Sequence, residues 1–308
     1  MSASRRTSFL IALVGSAVLA GCASGLPADP AAVVVVPQSS RCLSDAEVVQ
    51  WAQAYAARQP LSNPPAAMNA ADAACTRTKF QQQLAGSAGP LVGYKVNLSN
   101  LQVQKTFHID EPVWGSYYQS MLLPSRSSVD ARYGAQPLYK GSLMVRVKSS
   151  AINQASTPEA VLQQVDQIIP YIELADMQVQ KPSELTAHHM TAINAGARMG
   201  IQGTPLSVSA DSRSQKRLLK ELETMNVRVI GNKGRLLGRG KGSDVMGHPL
   251  QSVVWLAEAL RKQGLALEPG QWVSVGAFTP LLRPKAGETV TVAYPGLTGA
   301  RSVVVRFK

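Results

Sequence analysis

The stretch GRGKGSDVMGHPLQSVVWLAEALRKQG, residues 238–264, joins a glycine-rich loop to an amphipathic helix. Pro249 near the start of the helix and Gly264 after its last apolar residue are typical start and stop signals. The apolar residues of the predicted helix share one face, which consists of Leu250, Val253, Val254, Ala257 and Leu260. The stretch therefore predicts a loop that leads into a helix packed against a core.

The glycines and the lysine of this loop are similar in composition to a phosphate-binding loop, but their spacing excludes one. A P-loop needs a glycine, four residues, and then Gly-Lys followed by Ser or Thr. Arg235 occupies the position of the first glycine, and Gly242 occupies the position of the hydroxyl residue. No dinucleotide-binding G-x-G-x-x-G fingerprint opens the helix either. The glycines therefore belong to another kind of site.

Residues 1–21 have the layout of a lipoprotein signal peptide. A basic start is followed by an apolar run over residues 9–20, which is shorter than an ordinary membrane-spanning helix. The ending LAGC, residues 19–22, resembles the bacterial lipobox, which implies cleavage before Cys22 and its acylation, for example with palmitate. A plain secretory signal with a chance cysteine is the alternative. The two residues after Cys22 contain no aspartate, a pattern similar to that of outer-membrane lipoproteins, so we expect an anchored chain facing the periplasm.

Composition predicts a globular domain behind a flexible tether. Residues 22–40 are rich in proline and small residues and have no helical period, which is typical of a tether. The chain of 308 residues is 45% hydrophobic and 16% charged, enough apolar material for a sizeable core. Its formal net charge of +12 favours anionic surfaces over cationic partners. We therefore expect one domain over residues 41–308.

Export determines what the remaining cysteines are expected to do. After acylation of Cys22, only Cys42 and Cys75 are left, and an even pair in an oxidising compartment favours a disulfide. Two free cysteines are the alternative. The disulfide would tie together two segments near the start of the domain.

Helix signals predict an N-terminal helical arm over residues 41–88. Ser44 and Glu47 have the spacing of a capping box at the start of the first helix. A second helix is predicted from about residue 70 to residue 84, with its end near Gly86.

The remaining residues, 89–308, predict a β-rich core with further helices. LVGYKVNLS (91–99) and GSLMVRVKS (141–149) have strand character. A helix is predicted to begin at Thr157 and Pro158 and to end at Pro170, and YIELAD (171–176) is predicted as the strand that follows it. The apolar face of that helix would consist of Val161, Leu162, Val165, Ile168 and Ile169. TVTVAY (289–294) and SVVVRF (302–307) predict a closing hairpin, so one α+β domain is expected.

Four blocks of sequence together carry a family resemblance: GYKVNLS (93–99), PYIELAD (170–176), GRGKGSDVMGHPLQSVVWLA (238–257) and VGAFTPLLRPKAGETVTV (275–292). Their order and spacing resemble the 2-hydroxypenta-2,4-dienoate (2-keto-4-pentenoate) hydratase and 4-oxalocrotonate decarboxylase family of the fumarylacetoacetate hydrolase superfamily. The resemblance implies an α+β fold with a mixed β-roll or sandwich, flanking helices and the helical arm. It also implies hydration or decarboxylation of short unsaturated 2-oxo acids with magnesium or manganese.

The metal ligands of that family are largely replaced here. The family holds its cation with three carboxylates, two of them as Glu-x-Glu on one strand, where alternate residues share a face. These two positions correspond to Lys140 and Ser142, and the third corresponds to Glu173. One carboxylate beside an ammonium does not hold magnesium as three would, so we expect no metal cofactor. Lys140 is expected to pair with Glu173 and to hold a ligand carboxylate; a salt bridge in an inactive pocket is the alternative.

Other candidate site residues also follow from the resemblance. Lys95 in GYKV corresponds to a lysine near the reacting carbon, which implies substrate binding or proton transfer, and a solvated strand-end lysine is the alternative. Asn194 is kept in AINAG (192–196), where the family has ADNAS, and Ser142 and Asn194 are expected near the ligand. Ser243 on the glycine loop is a candidate ligand donor. His248 is expected to cap or start the helix that follows.

Several other functions are not supported by the sequence. The spacing of the four histidines does not match a zinc site; they are His108, His188, His189 and His248. The sequence also contains no G-x-S-x-G elbow of a serine hydrolase. Residues 212–241 carry a local excess of positive charge, which would fit an anionic surface such as lipopolysaccharide phosphates or, alternatively, form a solvated face. Aromatic residues are sparse there, so nucleic-acid binding is not expected.

Two functional hypotheses follow. The first is an envelope lipoprotein with a hydratase-like domain that has lost metal-dependent catalysis and binds a small anionic, 2-oxo acid-like ligand or a protein partner. The second is a metal-independent hydratase or lyase in which Lys95, Lys140 and Glu173 are catalytic. We favour the first. Relatives in this family often form oligomers, and a homo-oligomer stays open because the sequence shows no subunit interface.

Overall fold

The computed structural model describes residues 41–106, 109 and 111–308. The predicted signal peptide, the tether and the acylation site Cys22 lie outside these residues, as does His108. No helix in the described part of the chain is long and apolar enough to cross a lipid bilayer.

Seven α-helices and thirteen strands make up the described residues, with short 3-10 helices between them. The helices are α1 (Asp45–Ala56), α2 (Ala70–Ala88), α3 (Leu101–Thr106), α4 (Pro158–Gln163), α5 (Ala187–Ala192), α6 (Ser212–Thr224) and α7 (Gln251–Arg261). The strands are β1 (Leu91–Asn97), β2 (Val113–Tyr118), β3 (Leu122–Pro124), β4 (Ser128–Val129), β5 (Pro137–Val147), β6 (Val165–Asp176), β7 (Met199–Gln202), β8 (Leu206–Ser207), β9 (Asn226–Ile230), β10 (Leu236–Lys241), β11 (Trp272–Ser274), β12 (Thr289–Ala293) and β13 (Val303–Phe307).

The N-terminal arm consists of α1 and α2. Ser44 and Glu47 form the predicted capping box at α1, where each side chain accepts a hydrogen bond from the backbone N–H of the other residue. The predicted end of α2 near Gly86 is wrong, because the helix continues to Ala88. It stops at Gly89, which has a φ of +84°, a conformation that glycine adopts without steric cost.

Covalent and packing contacts join the two helices of the arm to each other and to the rest of the domain. Cys42 and Cys75 form the expected disulfide, with 5.7 Å between their Cα atoms. Trp51 of α1 packs edge-on against Phe80 of α2, with ring centroids 5.8 Å apart. Both aromatic residues belong to a buried cluster that also includes Tyr171 of β6. The arm therefore covers one face of the main sheet.

Two mixed sheets form the body of the domain. The larger one has eight strands in the order β2-β1-β11-β5-β6-β7-β3, with β8 also paired to β6. The smaller one has five strands in the order β10-β9-β12-β13-β4. Most neighbours are antiparallel, but β1 with β11, β3 with β7 and β13 with β4 are parallel. The predicted closing hairpin is confirmed as β12 and β13.

Side-chain alternation on β5 and β6 separates two cores. On β5, Leu143 and Val145 belong to the cluster that joins both sheets and α7, whereas Met144 belongs to the cluster under the helical arm. On β6, Ile172 belongs to the first of these clusters and Tyr171 to the cluster under the helical arm. Because alternate strand residues share a face, Lys140, Ser142 and Glu173 belong to the arm-covered face. This alternation places the candidate site residues inside the domain.

The helix predicted to extend to Pro170 is wrong beyond Gln163. Val165 begins β6, and the segment from there to Ile169 pairs with β5 instead of continuing the helix. Tertiary pairing with an eleven-residue partner strand prevails over the helical spacing of these β-branched residues. Pro170 itself lies in β6, between the residues that pair with β8 and those that pair with β7. A proline is tolerated there because no neighbouring strand needs its missing N–H.

The helix of the opening stretch forms as α7. Leu250, Val253, Ala257 and Leu260 are buried as predicted, and Val254 is only half-buried. The expectation that His248 caps or starts the helix is wrong, because α7 begins at Gln251 with Leu250 as its N-cap. His248 lies in the preceding turn, where its Nδ1 accepts a hydrogen bond from the backbone N–H of Leu250. All nine lysines and arginines of residues 212–241 are exposed on α6, β9, β10 and the adjoining turn.

Candidate functional site

Three charged side chains meet inside the main sheet. The Nζ atom of Lys95 on β1 lies 2.5 Å from Oε1 of Glu173 on β6, and Nζ of Lys140 on β5 lies 3.2 Å from the same oxygen. The exposed fractions of these side chains are 0% for Lys95 and Glu173 and 2% for Lys140. Lys140 and Glu173 are direct partners in the strand register. The predicted pairing of Lys140 with Glu173 is present, and Lys95 joins it.

A strained turn holds Lys95 in place. Asn194 and Ala195 both adopt left-handed backbone conformations, with φ values of 55° and 53°. Such strain in residues other than glycine is concentrated at functional sites. The turn presents the carbonyl oxygen of Ala195 to Nζ of Lys95 at 2.9 Å, and Nδ2 of Asn97 donates to the same oxygen at 3.1 Å. The turn thus gives the ammonium of Lys95 a second hydrogen-bond partner besides Glu173.

Asn97 connects the two lysines and was missed by the sequence analysis. Its Oδ1 accepts a hydrogen bond from Nζ of Lys140 at 2.9 Å, while its Nδ2 donates to Ala195. It lies two residues after Lys95 on β1, so the period-two rule that placed Lys140 and Ser142 together could have found it.

The glycine before this strand motif has a specific steric role. Gly93 lies at a register shift in the pairing of β1 with β2 and has a φ of +154°. A side chain there would meet the backbone oxygen of Trp272 on β11 at 1.9 Å. Glycine therefore allows β1 to approach β11 and to direct Lys95 into the sheet interior.

The cluster has more positive than negative charge. Two ammonium groups face a single carboxylate, and such an imbalance is costly away from water. Burial, together with the neighbouring ammonium of Lys140, lowers the pKa of Lys95 to about 8, although Glu173 opposes the shift. Burial alone would raise the pKa of Glu173, but Lys140 and Lys95 together hold it below its ordinary value. At neutral pH the cluster therefore has a net charge of about +1 and attracts an anion.

Two buried tyrosines, whose ring centroids lie 6.2 Å apart, are close enough to Glu173 to feel its charge. The phenol oxygens of Tyr117 and Tyr171 and Oε2 of Glu173 are buried and have no hydrogen-bond partner among the described residues. Burial and the charge of Glu173 raise the pKa of both phenols well above its ordinary value, so both stay protonated. Gly200 makes room for this arrangement, because a side chain there would meet the Tyr171 hydroxyl at 1.6 Å. Neither tyrosine was predicted as a site residue from the sequence, although Tyr171 lies two residues before Glu173 on β6.

A cavity of about 240 Å³ opens beside Lys140. Its wall includes Asn97 and Ala195 from the cluster and extends to Leu281, which is 38% exposed. Lys140, at 2% exposed, therefore lies at the buried end of the cavity. An ammonium at the inner end of an enclosed space is suited to binding a carboxylate as a point charge.

The other predicted ligand-binding residues lie elsewhere. The hydroxyl of Ser142 donates to the carbonyl oxygen of Gly276, and Ser142 is not among the residues that line the cavity. The side chain of Asn194 is bonded on both sides to the backbone of Ser116, at 2.7 and 3.1 Å, so it positions the strained turn. Ser243 is exposed and lines a neighbouring depression instead of the Lys140 cavity.

The residues present do not fit a divalent cation. Glu173 is the only carboxylate of the cluster, and its Oε1 is occupied by both ammonium groups. A magnesium ion needs several oxygen ligands, and two adjacent ammonium groups would repel it. No group of three or more potential ligands (His, Cys, Asp or Glu) suited to a metal occurs in the described ranges.

The described histidines have other contacts. His188 Nδ1 lies 3.0 Å from the carbonyl oxygen of Met68, and His189 Nε2 lies 3.0 Å from that of Pro65. His248 Nε2 lies 3.1 Å from the carbonyl oxygen of Leu219. Each of these rings thus has a backbone partner.

Comparison with characterised proteins identifies relatives in sequence. A 4-oxalocrotonate decarboxylase from Pseudomonas putida is 25% identical over 240 residues, which cover 78% of this chain and 86% of the relative. A 2-keto-4-pentenoate hydratase from Paraburkholderia xenovorans is 23% identical over 244 residues, or 79% of this chain and 87% of the relative. No protein-family model matches the sequence.

Solved structures show the same fold. The 4-oxalocrotonate decarboxylase of Pseudomonas putida G7, complexed with magnesium and adipate, matches with a TM-score of 0.73 and 22% identity over 87% of this chain and all of that chain. A fumarylpyruvate hydrolase of Pseudomonas aeruginosa, in complex with Mn²⁺ and pyruvate, matches with a TM-score of 0.51 and 13% identity over 70% of this chain and 88% of that chain. The expected superfamily fold is confirmed. Sequence relatives and structural neighbours together show that this chain is similar to 4-oxalocrotonate decarboxylases and 2-keto-4-pentenoate hydratases and shares their fold.

Proposed function

We propose that this protein binds a small carboxylate through the ammonium of Lys140 and has lost the metal-dependent reaction of its relatives. The observation that carries the proposal is the buried cluster itself, in which Lys95 and Lys140 share one oxygen of Glu173 beside a cavity. A ligand carboxylate would neutralise the excess positive charge. The carboxylate of the ligand thus supplies negative charge that the missing carboxylates supply in the metal site of the family. The ammonium of Lys140 supplies the positive charge that the metal ion supplies there.

The geometry leaves Lys140 able to bind a ligand. An ammonium has three N–H donors, and two of those of Lys140 go to Asn97 and Glu173. The third has no partner among the described residues, and Lys140 lines the cavity. Asn97 and Glu173 hold the ammonium in position, so little side-chain freedom is lost when a carboxylate binds.

Calorimetric titration tests this proposal. The protein would be the full chain carrying Cys22→Ala, titrated first with Mn²⁺ and then with pyruvate or oxalate in the presence of EDTA. We expect no Mn²⁺ binding, and binding of the organic anion that is lost in Lys140→Met. Lys148→Met is the matched control, because it removes an exposed lysine at the end of the same strand segment. Tight Mn²⁺ binding, or anion binding unaffected by Lys140→Met, would contradict the proposal.

We also propose that the protein is a lipoprotein of the cell envelope, anchored through Cys22 in the outer membrane. The basic start, the apolar run and the LAGC sequence support the anchor. The disulfide between Cys42 and Cys75 is consistent with an oxidising compartment. Membrane fractionation after labelling with radioactive palmitate tests the anchor. Label and membrane association should both disappear in Cys22→Ala, and a labelled or membrane-bound variant would refute it.

A metal-independent hydratase or lyase is the second candidate function. The specific observation in its favour is Lys95, because a pKa of about 8 makes its amine available for proton transfer near neutral pH. Turnover of 2-hydroxypenta-2,4-dienoate in the presence of EDTA separates this candidate from simple binding. Turnover that disappears in Lys95→Met and rises between pH 7 and 9 would favour catalysis. Binding without turnover would favour the first candidate.

A further inference from the structure

We infer that the cavity selects monocarboxylates with an apolar tail, about the size of a six-carbon fatty acid, and discriminates against dicarboxylates. This inference rests on the proposed function, because it uses Lys140 as the carboxylate anchor. It goes further by naming the part of the ligand that lies beyond the carboxylate.

The wall of the cavity is mainly apolar. Its apolar residues come from several segments around the ends of β1 and β6 and include Leu98, Met177, Leu185, Met190, Pro280 and Leu281. An aliphatic tail in contact with such a wall leaves water for an apolar environment, which favours binding.

The polar side chains that line the wall are largely committed to the protein. Asn97 bonds with Lys140 and Ala195, and the hydroxyl of Ser99 donates to the carbonyl oxygen of Val275. The hydroxyl of Thr279 accepts from the backbone N–H of Gly141, and that of Thr186 caps α5. These groups therefore have less capacity to bind a polar ligand tail.

The charges around the cavity disfavour a second carboxylate. Lys140 is the one cationic side chain among the described residues of the wall. The other charged side chain there is Asp176, which is 2% exposed. Its carboxylate accepts hydrogen bonds from the backbone N–H groups of Ala135 and Gln136 at 3.0 and 2.7 Å. A dicarboxylate would bring its second negative charge to a wall whose described residues include no second cation and do include Asp176.

The volume of the cavity limits the length of the tail. At the roughly 30 Å³ that one water occupies in the liquid, about 240 Å³ holds roughly eight water-sized groups. Hexanoate, with six carbons and two oxygens, fits this estimate. Each methylene that moves from water into the apolar wall should tighten binding by about fourfold. The gain should stop when the tail fills the cavity.

The experiment is a chain-length series titrated into the full chain carrying Cys22→Ala. The probes are acetate, butyrate, hexanoate and octanoate, with hexanamide as the uncharged match and adipate as the dicarboxylate match for hexanoate. We expect affinity to rise by about fourfold per methylene up to hexanoate and then to level off. Adipate and hexanamide should each bind at least tenfold more weakly than hexanoate.

Variants separate the anchor from the wall. Lys140→Met should abolish hexanoate binding, and it leaves Glu173 paired with Lys95, so the variant keeps a neutral buried pair. Leu185→Asn should weaken hexanoate by severalfold while it changes acetate little, because Leu185 lies on the wall and not at the ammonium. Thermal melting of both variants checks that they are folded. If Lys140→Met does not fold, the comparison of hexanoate with hexanamide still tests the anchor.

The outcomes distinguish this inference from the proposed function. Acetate or pyruvate binding that depends on Lys140, without any gain from a longer tail, would overturn the tail selectivity and leave the carboxylate site intact. Adipate binding as tight as hexanoate would also overturn it. If no carboxylate binds, or if Lys140→Met binds hexanoate as well as the parent protein does, both the inference and the proposed function fail.

Discussion

Lys140 and Glu173 face each other on neighbouring antiparallel strands, with their charged atoms 3.2 Å apart, at positions where the metal-dependent relatives are expected to carry two carboxylates. In the function that we propose, an ammonium there converts a cation site into an anion site within the same strand geometry. The backbone does not need to change for this exchange, because the residue position alone determines where the side chain points.

Restoring the two carboxylates should restore metal binding. In Lys140→Glu/Ser142→Glu, three carboxylates would project from β5 and β6 toward one point, as a hard cation requires. We expect Mn²⁺ binding to become detectable by calorimetry in a folded variant. Lys140→Gln/Ser142→Gln, whose side chains have similar volume without the charges, should show no Mn²⁺ binding. Mn²⁺ affinity that is unchanged in the carboxylate variant would show that the positions are assigned incorrectly.

Removal of Glu173 should strongly destabilise the fold. Glu173→Gln leaves the ammonium groups of Lys95 and Lys140 buried without a counter-ion, and loss of one partner of a buried ion pair typically costs about 3–5 kcal/mol. Chemical denaturation at pH 7 measures the free energy of unfolding. Adding Lys95→Met to Glu173→Gln should recover part of the loss, since one unpaired charge is removed. A single variant as stable as the parent protein would exclude charge compensation as the role of Glu173.

Lys95 should make stability increase with pH in the weakly alkaline range. Its pKa is about 8 in the folded protein and near 10.5 in the unfolded chain, so between these values the unfolded state binds more protons. The free energy of unfolding therefore rises with pH from about 8 towards 10 on account of this group. Denaturation curves at pH 7.5 and 9.5 should show the rise in the parent protein and a smaller one in Lys95→Met. An identical pH dependence in both would be evidence against the lowered pKa.

Carboxylate affinity should fall over the same pH range. Below a pH of about 8 the cluster has two ammonium groups and one carboxylate, and above it Lys95 loses its charge. A bound anion favours the protonated form of Lys95, so binding should be tighter at pH 7 than at pH 9.5. Calorimetric titration of hexanoate at the two pH values measures the change. Equal hexanoate affinity at pH 7 and pH 9.5 would mean that the protonation state of Lys95 is not coupled to ligand binding.

The contribution of Arg77 to the stability of the fold should depend on its planar guanidinium and not only on its charge. The guanidinium carbon lies 3.6 Å above the ring of Trp114, and Nη2 donates to the side chain of Gln263 on the turn after α7. Lysine offers no flat group for this contact, so Arg77→Lys should lower the free energy of unfolding by about 1–2 kcal/mol. Arg213→Lys, at an exposed position on α6, is the control and should change little. Equal stability of the two variants would show that the stacking contact contributes nothing.

The disulfide should contribute more to the stability of the N-terminal arm than to that of the sheets. Its partners are 33 residues apart in sequence, and closing a loop of that size in the unfolded chain is worth about 3–4 kcal/mol in the chain-entropy model. Cys42→Ser/Cys75→Ser should lower the melting temperature and increase hydrogen exchange in α1 and α2 before the sheets are affected. Uniform exchange throughout the domain would indicate that the arm does not unfold separately.

The local sequence was sufficient for the ends of several elements. Ser44 with Glu47, the glycine after α7 and the alternating residues of β12 and β13 are short-range signals whose partners lie within a few residues. The resemblance of four sequence blocks added the fold and the positions of Lys95, Lys140 and Glu173. The element ends and the fold are confirmed because each depended on local backbone geometry or on an ordered set of motifs. The roles of the three charged residues stay predictions.

The tertiary structure decided what those residues contact. Val165 and Ile169 have helical spacing but lie in a strand, because β5 offers a long pairing partner that the local pattern does not reveal. Ala195 reaches Lys95 from a turn 100 residues further along the chain, and no sequence spacing encodes that approach. Two ammonium groups facing one carboxylate give the cluster its positive charge. Burial lowers the pKa of Lys95, because desolvation depends on every atom packed around the group. The sequence by itself thus determined which charged residues are present, and only the folded chain decided that they meet away from water.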